Sequence, residues 1–193
     1  MSKNIVTVFI LLFLMNINIY PQNYADDLEE LNIRFSEIDY NNDAEVDVLL
    51  RDLNKFTVNK SGFIGGRAWS IIGQIYSAKK MWKEAEDAWF KAAAVASETY
   101  LAPIAFFNAA VAAEEQGNLE KAIKLLENSV SHTFAFPAAP RAQFSIGRLN
   151  EKLGKFSAAL EAYRQVVIKW PYITGWANLA QSRIIAIEIF DSM

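Results

Sequence analysis

Apolar side chains recur along most of the chain at intervals of three and four residues, the spacing that places them on one face of an α-helix. In the first part of the chain, Leu28, Leu31 and Phe35 belong to one such stripe, and a second runs from Val46 to Phe56. Neither helix could bury its stripe alone. The two stripes therefore predict a helical pair within residues 23–58.

After this pair the sequence repeats itself with a period of 37 residues. Alanine occurs at three positions separated by that interval: Ala85, Ala122 and Ala159. Twelve residues before each of them stands another small residue: Gly73, Ala110 and Gly147. Small residues on both sides allow two helices to approach closely, so each unit is predicted to be a helix hairpin.

The turns between the two halves of each unit follow the same period. Gly117 and Gly154 lie at the turn of the second and third units, where glycine readily takes the left-handed conformation that ends a helix. The first unit has Lys80 at the corresponding position. A further stripe of apolar residues within Ile173 to Phe190 predicts a single final helix.

These features resemble the tetratricopeptide repeat, and the third unit matches that family best. Its matching residues are Ile146, Gly147, Leu149, Leu153, Gly154, Lys155, Phe156, Ala159, Tyr163, Val166 and Pro171. The usual repeat is about 34 residues long, so these units carry longer connections, above all at His132 to Pro140. The third repeat and the final helix are also similar to exported proteins of the outer-membrane assembly and Tol-Pal kind.

The resemblance implies an all-α fold, a right-handed α-solenoid of three tetratricopeptide-like helix hairpins. The hairpins are expected at about 66–101, 102–138 and 139–172, with a capping helix at 173–190. The N-terminal helical pair does not keep the register of the repeat and is expected to cover that end of the solenoid. The segment from Asn59 to Gly66 is predicted to be the loop between the pair and the first repeat.

By resemblance, the first helices of the hairpins line a concave groove that binds a segment of a protein partner. The residues expected to face it are Arg67, Gln74, Phe107, Val111, Arg141, Phe144 and Arg148. Phe107 and Phe144 are either apolar anchors for the partner or packing residues between repeats. Arg141 and Arg148 are expected to bind a carboxylate or a backbone carbonyl of the partner.

The first residues have the order of a secretory signal peptide, because Lys3 precedes an apolar run from Ile5 to Met15. That run is much shorter than the ~20 residues that span a membrane. We expect a signal peptide over residues 1–22 and a periplasmic or secreted protein. The alternatives are an uncleaved anchor in the inner membrane and a buried N-terminal helix.

Charge is distributed unevenly along the chain. Residues 24–54 carry ten acidic and two basic side chains, whereas the rest of the chain after them is net basic. An acidic stretch before a basic body suits either a solvated acidic surface or an electrostatic fit to the body or to a partner. Nothing in this pattern indicates nucleic-acid binding.

The sequence offers few residues that could bind a metal or a phosphate or act in catalysis. The chain has no cysteine and one histidine, His132, so a zinc site would need mostly carboxylates. The glycines of the segment from Lys60 to Gly66 lack the spacing of a phosphate-binding loop. We therefore predict no metal, no cofactor and no enzymatic activity. The predicted function is a protein-interaction scaffold of the bacterial cell envelope. The alternative is a ligand-binding subunit, for example for a transporter, in which the acidic N-terminal pair folds over the groove and encloses a small molecule.

Overall fold

The computed structural model describes residues 24–132 and 135–191, so the predicted signal peptide lies outside the described residues. The described part of the chain contains nine helices and no strand. In chain order these are α1 (Tyr24–Glu37), α2 (Asp43–Thr57), α3 (Gly62–Ala78), α4 (Trp82–Val95), α5 (Leu101–Glu115), α6 (Leu119–Ser131), α7 (Ala139–Lys152), α8 (Phe156–Lys169) and α9 (Thr174–Asp191).

The helices pack in sequence as a solenoid. Helices α3 and α4, α5 and α6, and α7 and α8 form three hairpins, and the second helix of each hairpin packs against the first helix of the next. Helix α9 packs on α8 and also contacts α7. The predicted all-α solenoid of three helix hairpins is confirmed.

The small residues of the repeat lie where helices meet. A Cβ added to Gly73 would lie 2.7 Å from the indole of Trp89, and one added to Gly147 would lie 2.6 Å from the ring of Tyr163. The alanines of the second helices, Ala85, Ala122 and Ala159, are fully buried. In both hairpins a large aromatic side chain therefore occupies the space that the missing Cβ leaves.

The turn positions also behave as the period predicts. Gly117 and Gly154 have φ angles of 79° and 72°, in the left-handed region where glycine has no steric penalty. Lys80, which takes the place of glycine in the first hairpin, has the same conformation with φ of 56°. The turn thus keeps its geometry although its residue differs.

The N-terminal pair is built into the solenoid. Leu31 of α1 and Leu49 of α2 belong to the same buried cluster as Ile71 of α3, so these three helices share one core. The pair stacks on the first hairpin and covers its N-terminal side, as predicted. Lys79, just after α3, forms an ion pair with Asp43 at the start of α2.

The predicted loop from Asn59 to Gly66 is wrong in its second half, because α3 begins at Gly62. Ser61 has an extended backbone, and the helix starts immediately after it. Gly65 is buried against the backbone of Lys60, where a Cβ would lie 2.6 Å from the carbonyl oxygen. Glycine at position 65 allows the start of the helix to lie close to the backbone of Lys60. In the sequence, by contrast, glycines in this segment are typical of a loop.

The final helix covers the last hairpin on one side. Ala180, Ile184 and Ile187 pack against buried residues of α8, among them Tyr163 and Val166. This contact confirms the predicted capping role. None of the described helices is long and apolar enough to cross a membrane.

Candidate functional site

One glutamate–arginine ion pair connects the first helices of two successive hairpins, and a second connects α7 to the final helix α9. Between α5 and α7, the Arg148 guanidinium donates two parallel hydrogen bonds to the carboxylate of Glu114, of 2.7 and 2.6 Å. Between α7 and α9, Arg183 pairs in the same way with Glu151, which follows Glu114 by 37 residues. Bidentate pairs of this type fix geometry as well as charge. We call this row of ion pairs along one side of the solenoid the ladder, and each ion pair a rung.

The Glu114–Arg148 pair is charged at neutral pH. The hydrogen bonds from Arg148 lower the pKa of the Glu114 carboxyl, and the same bonds raise the pKa of Arg148. Tyr163 donates a hydrogen bond of 2.9 Å to Glu151. Burial, followed by this hydrogen bond, raises the pKa of the Tyr163 hydroxyl, so it remains a donor.

The ladder has no rung between α3 and α5. Ser77 and Val111 occupy the positions 37 residues before Glu114 and Arg148, and neither side chain can form an ion pair. The Ser77 hydroxyl donates instead to the carbonyl of Gly73 at 2.7 Å and accepts a hydrogen bond from the Trp89 indole at 3.2 Å. The space that an ion pair fills elsewhere therefore remains open at this interface.

A groove of about 720 Å³ lies at this interface, and we call it the first groove. It is lined by side chains of α1, α3, α4 and α5 and of the turn after α1. The lining residues are Phe35, Tyr40, Arg67, Ser70, Gln74, Ser77, Trp82, Trp89, Leu101, Ile104, Asn108, Val111 and Ala112. Its lining is mostly apolar, with a few polar groups, which is the usual composition of a binding site.

The polar side chains of the first groove differ in the hydrogen bonds that they make to the protein. Gln74 donates a hydrogen bond of 3.3 Å to the carbonyl of Ser70, and Arg67 donates one of 3.3 Å to Asn32 of α1. The side chain of Asn108, which is half-buried, makes no hydrogen bond to another described residue. Its carboxamide can donate to and accept from a bound molecule without breaking a contact.

The seven residues predicted to face the groove fall in three places. Arg67, Gln74 and Val111 all line the first groove, and Val111 is 39 % exposed there. Phe107 is only 9 % exposed. Its ring lies 5.7 Å from that of Phe136, and the Arg141 guanidinium stacks over it at 5.1 Å.

Phe144 and Arg148 lie together in a second, smaller cavity of about 370 Å³. The ring of Phe144 lies 5.1 Å from Tyr163 and 5.4 Å from Trp176, so it bridges α8 and α9. Arg148 is held by Glu114 at the edge of this cavity. Phe107 and Phe144 thus pack between repeats, which was one of the two roles considered for them.

Sequence reasoning did not assign Phe35, Tyr40 or Asn108 to the groove. The first two belong to the N-terminal pair, which was expected to cover the end of the solenoid and, in the ligand-binding alternative, to fold over the groove. The missing rung was visible in the sequence, because Ser77 stands where the period places Glu114 and Glu151 in the later repeats. Among the described residues, no three acidic or histidine side chains are grouped to hold a metal ion.

The fold and the groove define an α-solenoid of stacked helix hairpins. The family model described as Tetratricopeptide repeat matches residues 92–131 and 107–172. A protein of Treponema pallidum (strain Nichols), described as a TPR repeat-containing protein, is 38 % identical over 148 residues, 76 % of this chain and 61 % of that protein. The tetratricopeptide-repeat family is therefore supported for this chain.

Solved structures agree on the fold. Two crystal structures of MamA superpose with TM-scores of 0.59 and 0.57, each at 22 % sequence identity. The first covers 81 % of this chain and 83 % of MamA, and the second covers 78 % and 75 %. Tetratricopeptide repeats are generally non-enzymatic scaffolds that bind proteins, and these matches indicate no enzymatic family. The chain spans 61 % of the length of the Treponema pallidum relative.

Proposed function

We propose that this chain is an exported scaffold of the bacterial cell envelope, and that it binds an extended or helical segment of a protein partner in the first groove. The observation that carries the proposal is the missing rung between α3 and α5. Where Glu114 pairs with Arg148 the gap between α5 and α7 is bridged, whereas Ser77 and Val111 leave a groove of about 720 Å³ open between α3 and α5.

The lining of the first groove suits a peptide segment. Ile104 and Val111 of α5 line the groove together with Phe35 of α1, and they offer apolar contacts to a side chain of the segment. The free carboxamide of Asn108 suits a backbone amide, which has one donor and one acceptor. Arg67 adds a positive charge and a guanidinium, a side chain that often contributes strongly to interfaces.

A crosslinking experiment in the native cells tests the groove. A photoreactive phenylalanine analogue replaces Val111 in the groove, and in a control it replaces Val48 of α2, which is 41 % exposed and lies outside the groove. We expect a discrete adduct with a protein at position 111 and none at 48, identified by mass spectrometry. Adducts of equal yield at both positions, or none at 111, would overturn the proposal.

The proposed export rests on Lys3 and the apolar run from Ile5 to Met15, which precede the described residues. Fractionation of the cells and sequencing of the mature N-terminus test it. Export with cleavage near residue 22 gives a shortened chain in the periplasmic or secreted fraction. A full-length chain in the soluble cytoplasmic fraction would contradict export while leaving the groove proposal intact.

The second candidate is a small-molecule ligand in the same groove. It is favoured by Phe35 and Tyr40, which extend the lining of the groove beyond the residues of α3, α4 and α5. The volume of about 720 Å³ lies within the range of small-molecule sites. Native mass spectrometry of the exported protein distinguishes the two: a bound small molecule of constant mass, displaced in the Val111→Arg variant, would favour this candidate.

A further inference from the structure

A cavity of about 460 Å³ lies between α6, α7 and α8. We call it the amide cavity, because the buried carboxamides of Gln143 and Asn150 line it. It shares no lining residue with the first groove, so it is a separate site. Its volume lies within the range of roughly 300–1,000 Å³ that is usual for small-molecule sites.

The two carboxamides are held by bonds from their nitrogens. Gln143 and Asn150 are each only 8 % exposed. Nε2 of Gln143 donates a hydrogen bond of 3.3 Å to the carbonyl of Ala162 on α8, and Nδ2 of Asn150 donates one of 2.9 Å to the carbonyl of Ile146. Because an amide nitrogen only donates, these bonds also fix where each amide oxygen lies.

Both amide oxygens are unused acceptors. Neither Oε1 of Gln143 nor Oδ1 of Asn150 accepts a hydrogen bond from any residue that the structure describes. No side-chain oxygen of the described residues is both sealed from solvent and without a partner, so the two oxygens reach open space, and the space beside them is the amide cavity. A molecule in this cavity therefore meets two acceptors that the protein holds in place.

The charged groups of the cavity are also mainly acceptors. Glu127 of α6 and Glu161 of α8 both line it, and neither forms an ion pair with a described residue. Glu161 accepts one hydrogen bond of 2.8 Å from Gln165, which leaves further lone pairs of its carboxylate available. Lys169 is the one basic side chain among the described lining residues, so the lining is net negative. The cavity favours a cation that donates hydrogen bonds.

The rest of the lining is aliphatic. Ile123, Ile146 and Ala162 contribute from the three helices, and none of the described lining residues is aromatic. Quaternary ammonium groups, which have no N–H donor, are bound by aromatic cages. This cavity has hydrogen-bond acceptors and an aliphatic lining instead, so it suits a primary ammonium group on an aliphatic chain.

We propose that the amide cavity binds a linear aliphatic diamine with a protonated amine at each end. Gln143 and Asn150 are seven residues apart on α7, which is ~10.5 Å along the helix axis. An extended chain advances ~1.2 Å per bond, so about nine bonds between the nitrogens reach both amide oxygens. Each ammonium group has three donors and can bind an amide oxygen together with a carboxylate.

Titration calorimetry of the purified protein with diaminooctane, which has the required length, tests the proposal. Octanediol is the uncharged probe of equal length, and we expect it to bind at least about tenfold more weakly. Diaminobutane is too short to reach both amides and should also bind more weakly. No binding of diaminooctane at millimolar concentration, or equal affinity for either of the other probes, would overturn the proposal.

Variants of the charged lining test the same site. The double variant Glu127→Gln and Glu161→Gln should bind diaminooctane at least about tenfold more weakly. The matched control is Glu120→Gln, because Glu120 lies on the same helix as Glu127 but outside the cavity. Lys169→Gln removes a like charge and should strengthen binding. Equal affinity of the double variant and the wild type would contradict the proposed site.

Two further variants separate the amide oxygens and the first groove. Asn150→Leu and Gln143→Met each remove an amide oxygen at similar volume and should weaken binding of diaminooctane, and thermal melting shows which of them remains folded. Val111→Arg, which blocks the first groove, should leave this binding unchanged. Loss of binding in Val111→Arg, or full binding by a folded amide variant, would overturn the proposal without bearing on the protein partner.

Discussion

Lys80, Gly117 and Gly154 lie at the same point of three successive turns and all have positive φ. Glycine adopts this conformation without penalty, whereas a side chain costs roughly 1–2 kcal/mol there. The first hairpin therefore stores strain that the other two avoid. The fold tolerates it because the flanking helices are fixed by burial on both sides of the turn.

Lys80→Gly should raise the free energy of unfolding by about 0.5–1 kcal/mol, because relief of strain outweighs the greater freedom of glycine in the unfolded chain. Gly154→Ala should lower it by about 1 kcal/mol for the opposite reason. Chemical denaturation followed by circular dichroism measures both. Changes of the same sign at the two positions would contradict this account of the turns.

Gly147 lies so close to the ring of Tyr163 that the methyl side chain of an alanine would not fit at this position. An added Cβ would lie 2.6 Å from the ring, which is fully buried and held by its hydrogen bond to Glu151. Gly147→Ala should therefore destabilise the protein by ~1–3 kcal/mol, despite the better helix propensity of alanine. Thermal and chemical denaturation provide the measurement.

The second repeat supplies the control for this prediction. It has Ala110 and Leu126 at the positions that Gly147 and Tyr163 occupy in the third. In a Tyr163→Leu background, Gly147→Ala should therefore cost clearly less than it does alone, and a double-mutant cycle measures the difference. Additive effects would show that the ring does not determine the size of residue 147.

The periodic positions were predictable from the sequence because each depends on a local contact repeated three times. Gly73 with Trp89 and Gly147 with Tyr163 are examples, since a small residue on one helix and a large one on the next must meet for a hairpin to close. The start of α3 was not predictable in this way. Gly65 is used there for close approach to the backbone of Lys60, which composition alone cannot distinguish from a loop.

At the scale of the helices, the Glu114–Arg148 pair fixes α5 against α7. Glu114→Gln should lower the free energy of unfolding by about 0.5–1 kcal/mol at pH 7, since the pair is bidentate but partly exposed to solvent. The folded pKa of Glu114 is lowered, so this stabilisation is present above its unfolded pKa of about 4.3 and is lost as pH falls through the folded value.

Urea denaturation of the wild type and of Glu114→Gln between neutral and acidic pH measures this difference. The control is Glu120→Gln, because Glu120 is 63 % exposed and lies 3.6 Å from Lys155 in a single contact. It should change stability little at any pH. A difference for Glu114→Gln that grows as the pH falls would contradict the assigned role of the pair.

The candidate site was only partly predictable, and the reason lies in how helices pack. Position along a first helix led to Arg67, Gln74 and Val111, and the structure has all three in the lining of the first groove. It could not show that Phe107 turns toward Phe136 or that Arg148 is held by Glu114, because both depend on the neighbouring hairpin. The contribution of Phe35 and Tyr40 depends on how the N-terminal pair stacks, which the period does not describe.

At the scale of the whole molecule, the first groove lies in the N-terminal half of the solenoid, between α3 and α5. Its lining is apolar with a few polar groups, and we propose that it holds a segment of another protein.

The groove proposal is tested most directly by restoring the missing rung. The variant with Ser77→Glu and Val111→Arg introduces the pair that bridges the later hairpins, and its ion pair should fill the first groove without altering the stack of helices. The measurement is the dissociation constant of the partner segment identified by crosslinking at position 111, determined by calorimetry. We predict affinity at least about tenfold weaker for this variant, and affinity within about twofold of the wild type for the control Val48→Arg. Unchanged affinity in the variant with the restored pair would contradict the proposal that the first groove holds the partner.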